Sequence, residues 1–102
     1  MITTINPATE ETIKIYQEHT EQELEDILSH VDAAFQKWKK TSFAERARLM
    51  KSTANILRSK KEHFAILMTR EMGKCIVEAE AEVDKCAGVC DYYAENVEKI
   101  LS

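Results

Sequence analysis

The chain has few of the residues that interrupt regular structure, with two glycines and one proline among 102 residues. A turn-rich β sandwich, a collagen or a proline-rich linker needs many more, so these classes are excluded. No apolar run approaches the roughly 20 residues of a membrane-spanning helix. The first residues have neither a basic flank nor an apolar core typical of a signal peptide, so we expect a cytoplasmic protein without a membrane partner.

An excess of basic side chains, common in nucleic-acid-binding proteins, is also missing. The chain has 14 basic and 18 acidic side chains and a formal net charge of −4, so we expect no nucleic-acid partner. Basic residues nevertheless predominate in residues 42–74 and acidic residues in residues 75–102. No aromatic side chain lies between Arg46 and Lys61, which favours a solvated helix face that meets the acidic block over a phosphate-binding stripe.

Two short segments near the N-terminus have the alternation of β-strands. Residues 2–5 and 12–16 look extended, and isoleucines alternate with polar neighbours in the second segment. Asn6 and Pro7 between them favour a turn. The pattern predicts a β-hairpin over residues 2–16, which needs another element to pack on because an isolated two-stranded hairpin is marginal in water.

The next segment has the signals of a helix with one apolar face. Thr20 and Glu23 form a capping-box pattern, and acidic residues begin the segment while lysines end it, as the helix dipole favours. Its apolar positions are Leu24, Ile27, Leu28, Val31, Ala34, Phe35 and Trp38. We predict a helix over about residues 21–39, with His30 at the border of the core. If Phe35 or Trp38 is buried, its replacement by Ala should cost about 3–5 kcal/mol.

Three further helices are predicted, which makes residues 20–101 a helical layer. Ser42 and Ser59 each begin a capping-box pattern, so a second helix follows Ser42 and a third follows a break near Ser59. Gly73 suits the end of the third helix, where a positive φ favours glycine. The fourth helix covers residues 76–101. Its apolar seam is Ile76, Ala79, Val83, Cys86, Cys90, Tyr93, Val97 and Ile100.

The fourth helix is long for so short a chain. It spans roughly 39 Å at 1.5 Å per residue, which indicates either partners beyond the chain or a larger protein that continued past Ser102. Gly88 inside it costs up to ~1 kcal/mol relative to Ala and predicts the close approach of another backbone. The predicted fold is mainly α, with about four helices and a short N-terminal β-hairpin, in a single segment of residues 1–102.

The three cysteines are the first candidates for chemistry. Cys86 and Cys90 are either small core residues, which we favour, or a thiol sensor or metal site. A zinc site needs four ligands, and the histidines lie on other segments. Cys75 lies near the start of a helix, which favours a thiolate, so we expect it to be the most reactive thiol, without a catalytic role.

The other polar residues form no catalytic constellation in the sequence. The three histidines have no triad partner at motif spacing: His19, His30 and His63. Four carboxylates alternate with apolar residues and are expected mostly to face solvent: Glu78, Glu80, Glu82 and Asp84. Tyr92 and Tyr93 should place one ring inward and one near the rim. With no glycine-rich phosphate loop and no zinc signature, we assign no catalytic, cofactor-binding or metal-binding residue to the chain.

Four stretches, taken together, resemble the aldehyde dehydrogenase superfamily. They are Ile5-Asn6-Pro7-Ala8-Thr9-Glu10-Glu11; Ala34-Phe35-Gln36-Lys37-Trp38 with Thr41 to Ala47; Thr69-Arg70-Glu71-Met72-Gly73-Lys74; and residues 78–83 with Tyr92-Tyr93-Ala94-Glu95-Asn96. Their order and spacing hold over essentially the whole chain, and the similarity is greatest to the succinate-semialdehyde dehydrogenase branch. Many relatives have Gly where Glu10 stands, and Pro or another apolar residue where Cys75 stands.

The resemblance implies a scaffold role. In the intact family such a segment is part of an α/β coenzyme-binding domain, and the catalytic cysteine, the general-base glutamate and the Rossmann phosphate turn lie downstream of it. NAD or NADP serves the intact family, and we expect no cofactor in this chain. The helix around Asp84, Lys85 and Val89 resembles the one that borders the substrate tunnel in relatives, a structural role only.

Two functional hypotheses follow. The first is a truncated N-terminal part of an aldehyde dehydrogenase, whose intact form oxidises an aldehyde, such as succinate semialdehyde, to its acid with NAD(P). This chain would be inactive alone, and its partner would be the missing remainder of the enzyme. The alternative is a stand-alone helical module that self-associates through its apolar faces.

Overall fold

The computed structural model describes all 102 residues. Two antiparallel strands precede four helices: β1 (Ile2–Ile5), β2 (Thr12–Tyr16), α1 (Glu21–Trp38), α2 (Phe43–Ser59), α3 (Lys61–Met72) and α4 (Ile76–Leu101). The predicted fold class, mainly α with an N-terminal hairpin, is confirmed.

Asn6 closes the turn of the hairpin. Its side-chain oxygen accepts a hydrogen bond from the Ala8 N–H at 2.9 Å, and its backbone carbonyl accepts one from the Glu10 N–H at 2.8 Å. The strands then pair with Ile2 opposite Tyr16 at the open end. The turn leaves Glu10 at a φ of 63°, in the left-handed region that is unfavourable for a residue with a Cβ.

The capping box predicted for α1 is confirmed. Thr20 Oγ1 accepts from the Glu23 N–H at 3.2 Å, and the Thr20 N–H donates to Glu23 Oε2 at 2.8 Å, which lowers the pKa of Glu23. The box predicted at Ser42 forms only in part. Ser42 Oγ accepts from the Glu45 N–H at 3.1 Å, but the Glu45 carboxylate binds the Arg48 guanidinium instead of returning to the cap.

The box predicted at Ser59 is wrong. α2 includes Ser59, and its hydroxyl donates to the Ile56 carbonyl at 3.1 Å within the helix. The break lies at Lys60, whose φ of −109° and ψ of 20° interrupt the helical path, and no side chain caps α3. The break near Ser59 is therefore confirmed, but the backbone at Lys60 makes it.

The two glycines have different surroundings. Gly73 ends α3 as predicted, with a φ of 71° and its N–H donating to the Thr69 carbonyl at 2.9 Å. It also lies against the hairpin turn, because a Cβ there would be 3.1 Å from Pro7 Cγ. Gly88 contradicts the prediction: a Cβ there would meet no atom within 4 Å, so no other backbone of this chain approaches it.

The core lies where α2 and α3 pack, one after the other, along α4. Five residues are buried, and all are small: Ala54, Ala65, Ala79, Val83 and Ala87. The buried positions of α4 recur every four residues. The predicted seam is therefore wrong at Cys86, which is exposed while its neighbour Ala87 is buried.

The chain forms a flat slab with extents of 49 × 41 × 20 Å. Its radius of gyration is 17.8 Å, against about 13 Å for a compact domain of this length. Because so thin a body covers few side chains from both sides, the buried set stays small and most large apolar side chains keep much of their surface exposed.

No residue of α1 is buried, so the predicted place of its stripe in the core is wrong. Phe35 is 55% exposed and Trp38 is 46% exposed, and His30 borders no core. The cost of about 3–5 kcal/mol for replacing Phe35 or Trp38 by Ala required a buried ring, and neither ring is buried in this chain. The periodicity identifies the apolar side of the helix, but α2–α4 do not cover that side.

Replacing Glu10 by Gly should stabilise the hairpin, because glycine adopts a positive φ without a Cβ penalty. The penalty removed is about 1–2 kcal/mol, and the greater chain entropy of glycine offsets roughly 0.5–1 kcal/mol of it. From the middle of each range we expect a net gain of about 0.75 kcal/mol. Hydrogen–deuterium exchange at the paired amides of β1 and β2 should slow by about two- to fivefold. Glu11→Gly is the control: φ is not positive there, so exchange should not slow.

Candidate functional site

Ion pairs join the basic face of α2 and α3 to the acidic face of α4. The pairs are Arg58–Asp91 (2.5 Å), Lys51–Asp91 (3.5 Å), Lys51–Glu95 and Lys61–Asp84 (3.2 Å). Residue numbers rise along α2 and α3 as they fall along α4, so α4 runs antiparallel to both. The prediction that the basic block meets the acidic block is confirmed, and these cations are already neutralised within the chain.

Asp91 is the centre of this network. Its side chain is 25% exposed and faces both Arg58 and Lys51. The hydrogen bond from Arg58 lowers the pKa of Asp91, and the hydrogen bond to Glu95 raises the pKa of Lys51. The lowered pKa means that the contribution of Asp91 to stability is present above its ordinary value of 3.8 and is lost as the pH falls through the lowered value.

An open apolar groove lies between the end of α1, the start of α2 and the end of α4. It has a volume of about 230 Å³, and its lining residues are Trp38, Phe43, Arg46, Ala47, Met50, Tyr93, Ala94, Val97 and Leu101. Arg46 lies with its Cζ 5.4 Å from the centre of the Trp38 ring, donates to the Trp38 carbonyl at 3.1 Å and donates to Thr41 Oγ1 at 2.8 Å. Arg46 therefore fixes the connection between α1 and α2.

The outward face of α4 carries a second, shallow hollow of about 440 Å³. Its lining residues are Glu82, Lys85, Cys86, Val89 and Cys90. Lys74 binds Glu82 at 2.5 Å, which raises the pKa of Lys74, while Lys85 makes no ion pair. An open hollow of this kind lacks the enclosure that buries most of a small ligand.

The three thiols remain free. Cys75 is the N-cap residue of α4, which confirms its predicted place near the start of a helix. Its side chain is exposed and makes no capping hydrogen bond. Cys86 is exposed and Cys90 is half-buried, so the favoured core interpretation fails for Cys86. No group of three or more His, Cys, Asp or Glu side chains is placed to hold a metal ion.

The remaining candidates are dispersed. His19 Nδ1 lies 3.8 Å from the Glu23 carboxylate, and His63 packs edge-on against Phe64. Tyr92 and Tyr93 are both about half exposed, at 54% and 48%, so neither ring is buried, and only Tyr93 lines the groove. No helix is both long enough and apolar enough to cross a membrane.

Sequence reasoning missed the groove and the place of Arg46 in it. The separate apolar faces of α1, α2 and α4 were visible, but the meeting of their ends depends on how the helices cross. The available signal was the pairing of Trp38 with an arginine eight residues later, since an arginine commonly stacks on an aromatic ring.

Replacing Asp91 by Asn should lower Tm by a few degrees at pH 7, because it leaves Arg58 and Lys51 without their shared carboxylate. The difference from the parent chain should shrink as the pH falls below 3.8 and through the lowered pKa of Asp91, since protonation then removes the carboxylate charge that Asn lacks. Circular dichroism melts across this pH range test the claim, and Asp32→Asn, at an exposed position of α1 without an ion pair, is the matched control. A difference in Tm that does not depend on pH would contradict the electrostatic explanation.

Comparisons with known proteins place the chain in a family. The aldehyde dehydrogenase family model matches residues 1–102. The chain is 43% identical over 101 residues to NADP(+)-dependent succinate-semialdehyde dehydrogenase 1 of Mycobacterium tuberculosis, covering 99% of this chain and 22% of that protein. A probable NADP(+)-dependent succinate-semialdehyde dehydrogenase of Synechocystis sp. is 41% identical with the same coverage.

A solved structure has the same arrangement of elements. The succinic semialdehyde dehydrogenase of Streptococcus pyogenes, in complex with NADP+, superposes with a TM-score of 0.91 and 38% identity, over 98% of this chain and 22% of that one. The chain thus spans about a fifth of the length of the relatives that it matches. Because the family model matches every residue and the fold agrees, this chain belongs to the aldehyde dehydrogenase family.

Proposed function

We propose that this chain is the N-terminal structural segment of a succinate-semialdehyde-type aldehyde dehydrogenase and has no activity alone. In the whole enzyme, an aldehyde would be oxidised to its acid with NADP or NAD as the hydride acceptor. One observation carries the proposal: sequence and fold match such enzymes over the whole chain, while the match covers only 22% of their length.

The exposed apolar surfaces support a scaffold role. The α1 stripe, which we define as residues 24, 27, 28, 31, 34, 35 and 38, and the groove beside Trp38 are apolar surfaces that this chain leaves open. A contiguous exposed apolar surface marks an interaction site in a protein. The remaining part of the enzyme is the partner that we propose for these surfaces, and the slab shape suits one layer of a larger domain.

The residues present do not fit a dinucleotide. Its pyrophosphate binds at a helix N-terminus that follows a glycine-rich turn. No glycine precedes α1, the first turn of α1 carries Glu21 and Glu23, and the Thr20 N–H and hydroxyl are used by the capping box. α4 follows Gly73, but its N-cap is Cys75 and its first turn carries Glu78. These carboxylates would repel a phosphate, so cofactor binding belongs elsewhere in the proposed enzyme.

The cysteines do not fit the nucleophile of the reaction. An activated thiol needs a base or an electropositive partner close by. Cys86 and Cys90 share an open hollow with Glu82 and Lys85, and no histidine lines it to act as a base. The hypothesis of a metal site there lacks a third ligand. We therefore place the nucleophile outside this chain.

The purified chain should give no NADPH from succinate semialdehyde and NADP+, as followed by absorbance at the nicotinamide band. A chimera tests the positive half of the proposal. When this chain replaces the matched segment of the Streptococcus pyogenes enzyme, we expect activity within about tenfold of the parent, a loss of ~1.4 kcal/mol or less in transition-state stabilisation. A folded chimera without activity, or turnover by the chain alone, would contradict the proposal.

The cysteines supply the matched control within the same chimera. Changing Cys75, Cys86 and Cys90 together to Ser should leave kcat nearly unchanged, because the attacking thiolate lies outside the segment. If kcat fell to background while the chimera stayed folded, one of these thiols would be catalytic, and the scaffold-only role would be wrong.

A further inference from the structure

We propose that the part of the remaining enzyme that covers the groove beside Trp38 places an Asp or Glu carboxylate against Arg46. This inference rests on the proposed function, since it concerns a surface that the remaining chain would cover, and it adds the chemistry of that contact. It depends on three observations: the charge of Arg46 has no anionic partner, some of its N–H groups have no acceptor, and every other residue that lines the groove is uncharged.

Arg46 has no anionic partner within the chain. No ion pair includes it. Glu45, the acidic residue next to it in the sequence, is held by Arg48 instead. The groups that Arg46 does bind, the Trp38 carbonyl and the Thr41 hydroxyl, are neutral, and the C-terminal end of α1 supplies only about half an elementary negative charge. A net positive charge therefore remains at this point of the surface.

Arg46 also has N–H groups without an acceptor. A guanidinium has five N–H groups. Within the chain, Nε donates to Thr41 Oγ1 at 2.8 Å and Nη2 donates to the Trp38 carbonyl at 3.1 Å, so three N–H groups are left, including both of those on Nη1. A carboxylate can accept two parallel N–H bonds from one guanidinium, and each is stronger than a bond to a neutral acceptor. The free side of Arg46 therefore suits a carboxylate.

The surroundings of Arg46 make the absence of an anion costly once the groove is covered. Arg46 is the only charged residue among those that line the groove, and it is half-buried in this chain, so solvent still reaches part of its side chain. A covering segment would remove that solvent, and a buried charge without a partner is strongly unfavourable. Arginine cannot escape this cost by losing its proton. A purely apolar cover therefore fits the groove poorly, whereas an apolar cover with one carboxylate opposite Arg46 fits it well.

A crystal structure of the chimera with the Streptococcus pyogenes enzyme shows the contact directly. We expect an Asp or Glu oxygen from outside this chain within about 4 Å of a guanidinium nitrogen of Arg46. A groove that stays open, or a cover that brings only backbone carbonyls or apolar atoms to Arg46, would overturn the inference. If the full chimera does not fold, a smaller one that carries only residues 38–50 of this chain gives the same reading.

The crystal structure also separates this inference from the proposed function. A folded chimera without activity contradicts the proposed function, but its structure still shows whether a carboxylate lies against Arg46. An active chimera without that carboxylate contradicts the inference and leaves the proposed function standing.

Arg46→Gln tests whether the contact acts as an ion pair. In the chimera this change should speed thermal unfolding at least about tenfold, because it leaves a covered carboxylate without its cation; the readout is loss of helical circular dichroism at a fixed temperature. Changing that carboxylate to its amide in the same chimera should then recover most of the loss. If Arg46 only held the connection between α1 and α2, the second change would recover nothing, and that result would overturn the inference.

Arg48→Gln is the matched control for this measurement. Arg48 lies two residues further along α2, is exposed, and already has its partner, Glu45, within the chain. Because an exposed pair of this kind contributes little, unfolding of the chimera should change by less than about threefold. An effect as large as that of Arg46→Gln would show that any loss of a cation from α2 destabilises the chimera, which would also overturn the specific pairing.

Discussion

The packing of α2 and α3 along a single long helix is the constraint on which the rest of the structure depends. Alanines at 54, 65, 79 and 87, with Val83, keep the contact surface narrow and let the helices lie close together. The ion pairs of Asp91 and Asp84 then border this seam along its length. Because the seam is narrow, little apolar surface leaves water within the chain. The wider apolar surfaces, the α1 stripe and the groove beside Trp38, remain uncovered within the chain.

This division explains why the chain resembles an enzyme yet holds no assembled active site. Lys51, Arg58 and Lys61 are paired within the helical layer. No histidine lines the hollow of Cys86 and Cys90, and the hollow is open. What it offers to other molecules is shape and apolar surface, chiefly the α1 stripe and the groove beside Trp38. In the proposed enzyme the remaining chain would cover these surfaces.

Local signals in the sequence predicted the elements well, and burial poorly. Thr20 and Gly73 mark helix ends by bonds to nearby backbone atoms, so residues a few positions away suffice to identify them. Ser59 misled because a serine also satisfies its hydroxyl inside a helix. Ala87 was missed because a small side chain resembles either a core or a surface residue until the neighbouring helix is placed. The predicted absence of catalytic, cofactor and metal residues, like the expected location and partners, stays a prediction.

The contact between Gly73 and Pro7 joins two parts of the chain that the sequence separates by 66 positions. Gly73 ends α3 through its positive φ and also leaves room for the proline ring of the hairpin turn. A side chain at position 73 would therefore disfavour the positive φ that ends α3 and would also displace the hairpin turn at Pro7. A single substitution would cause both changes. The same residue thus couples the end of α3 to the position of the hairpin, because one small backbone site serves both.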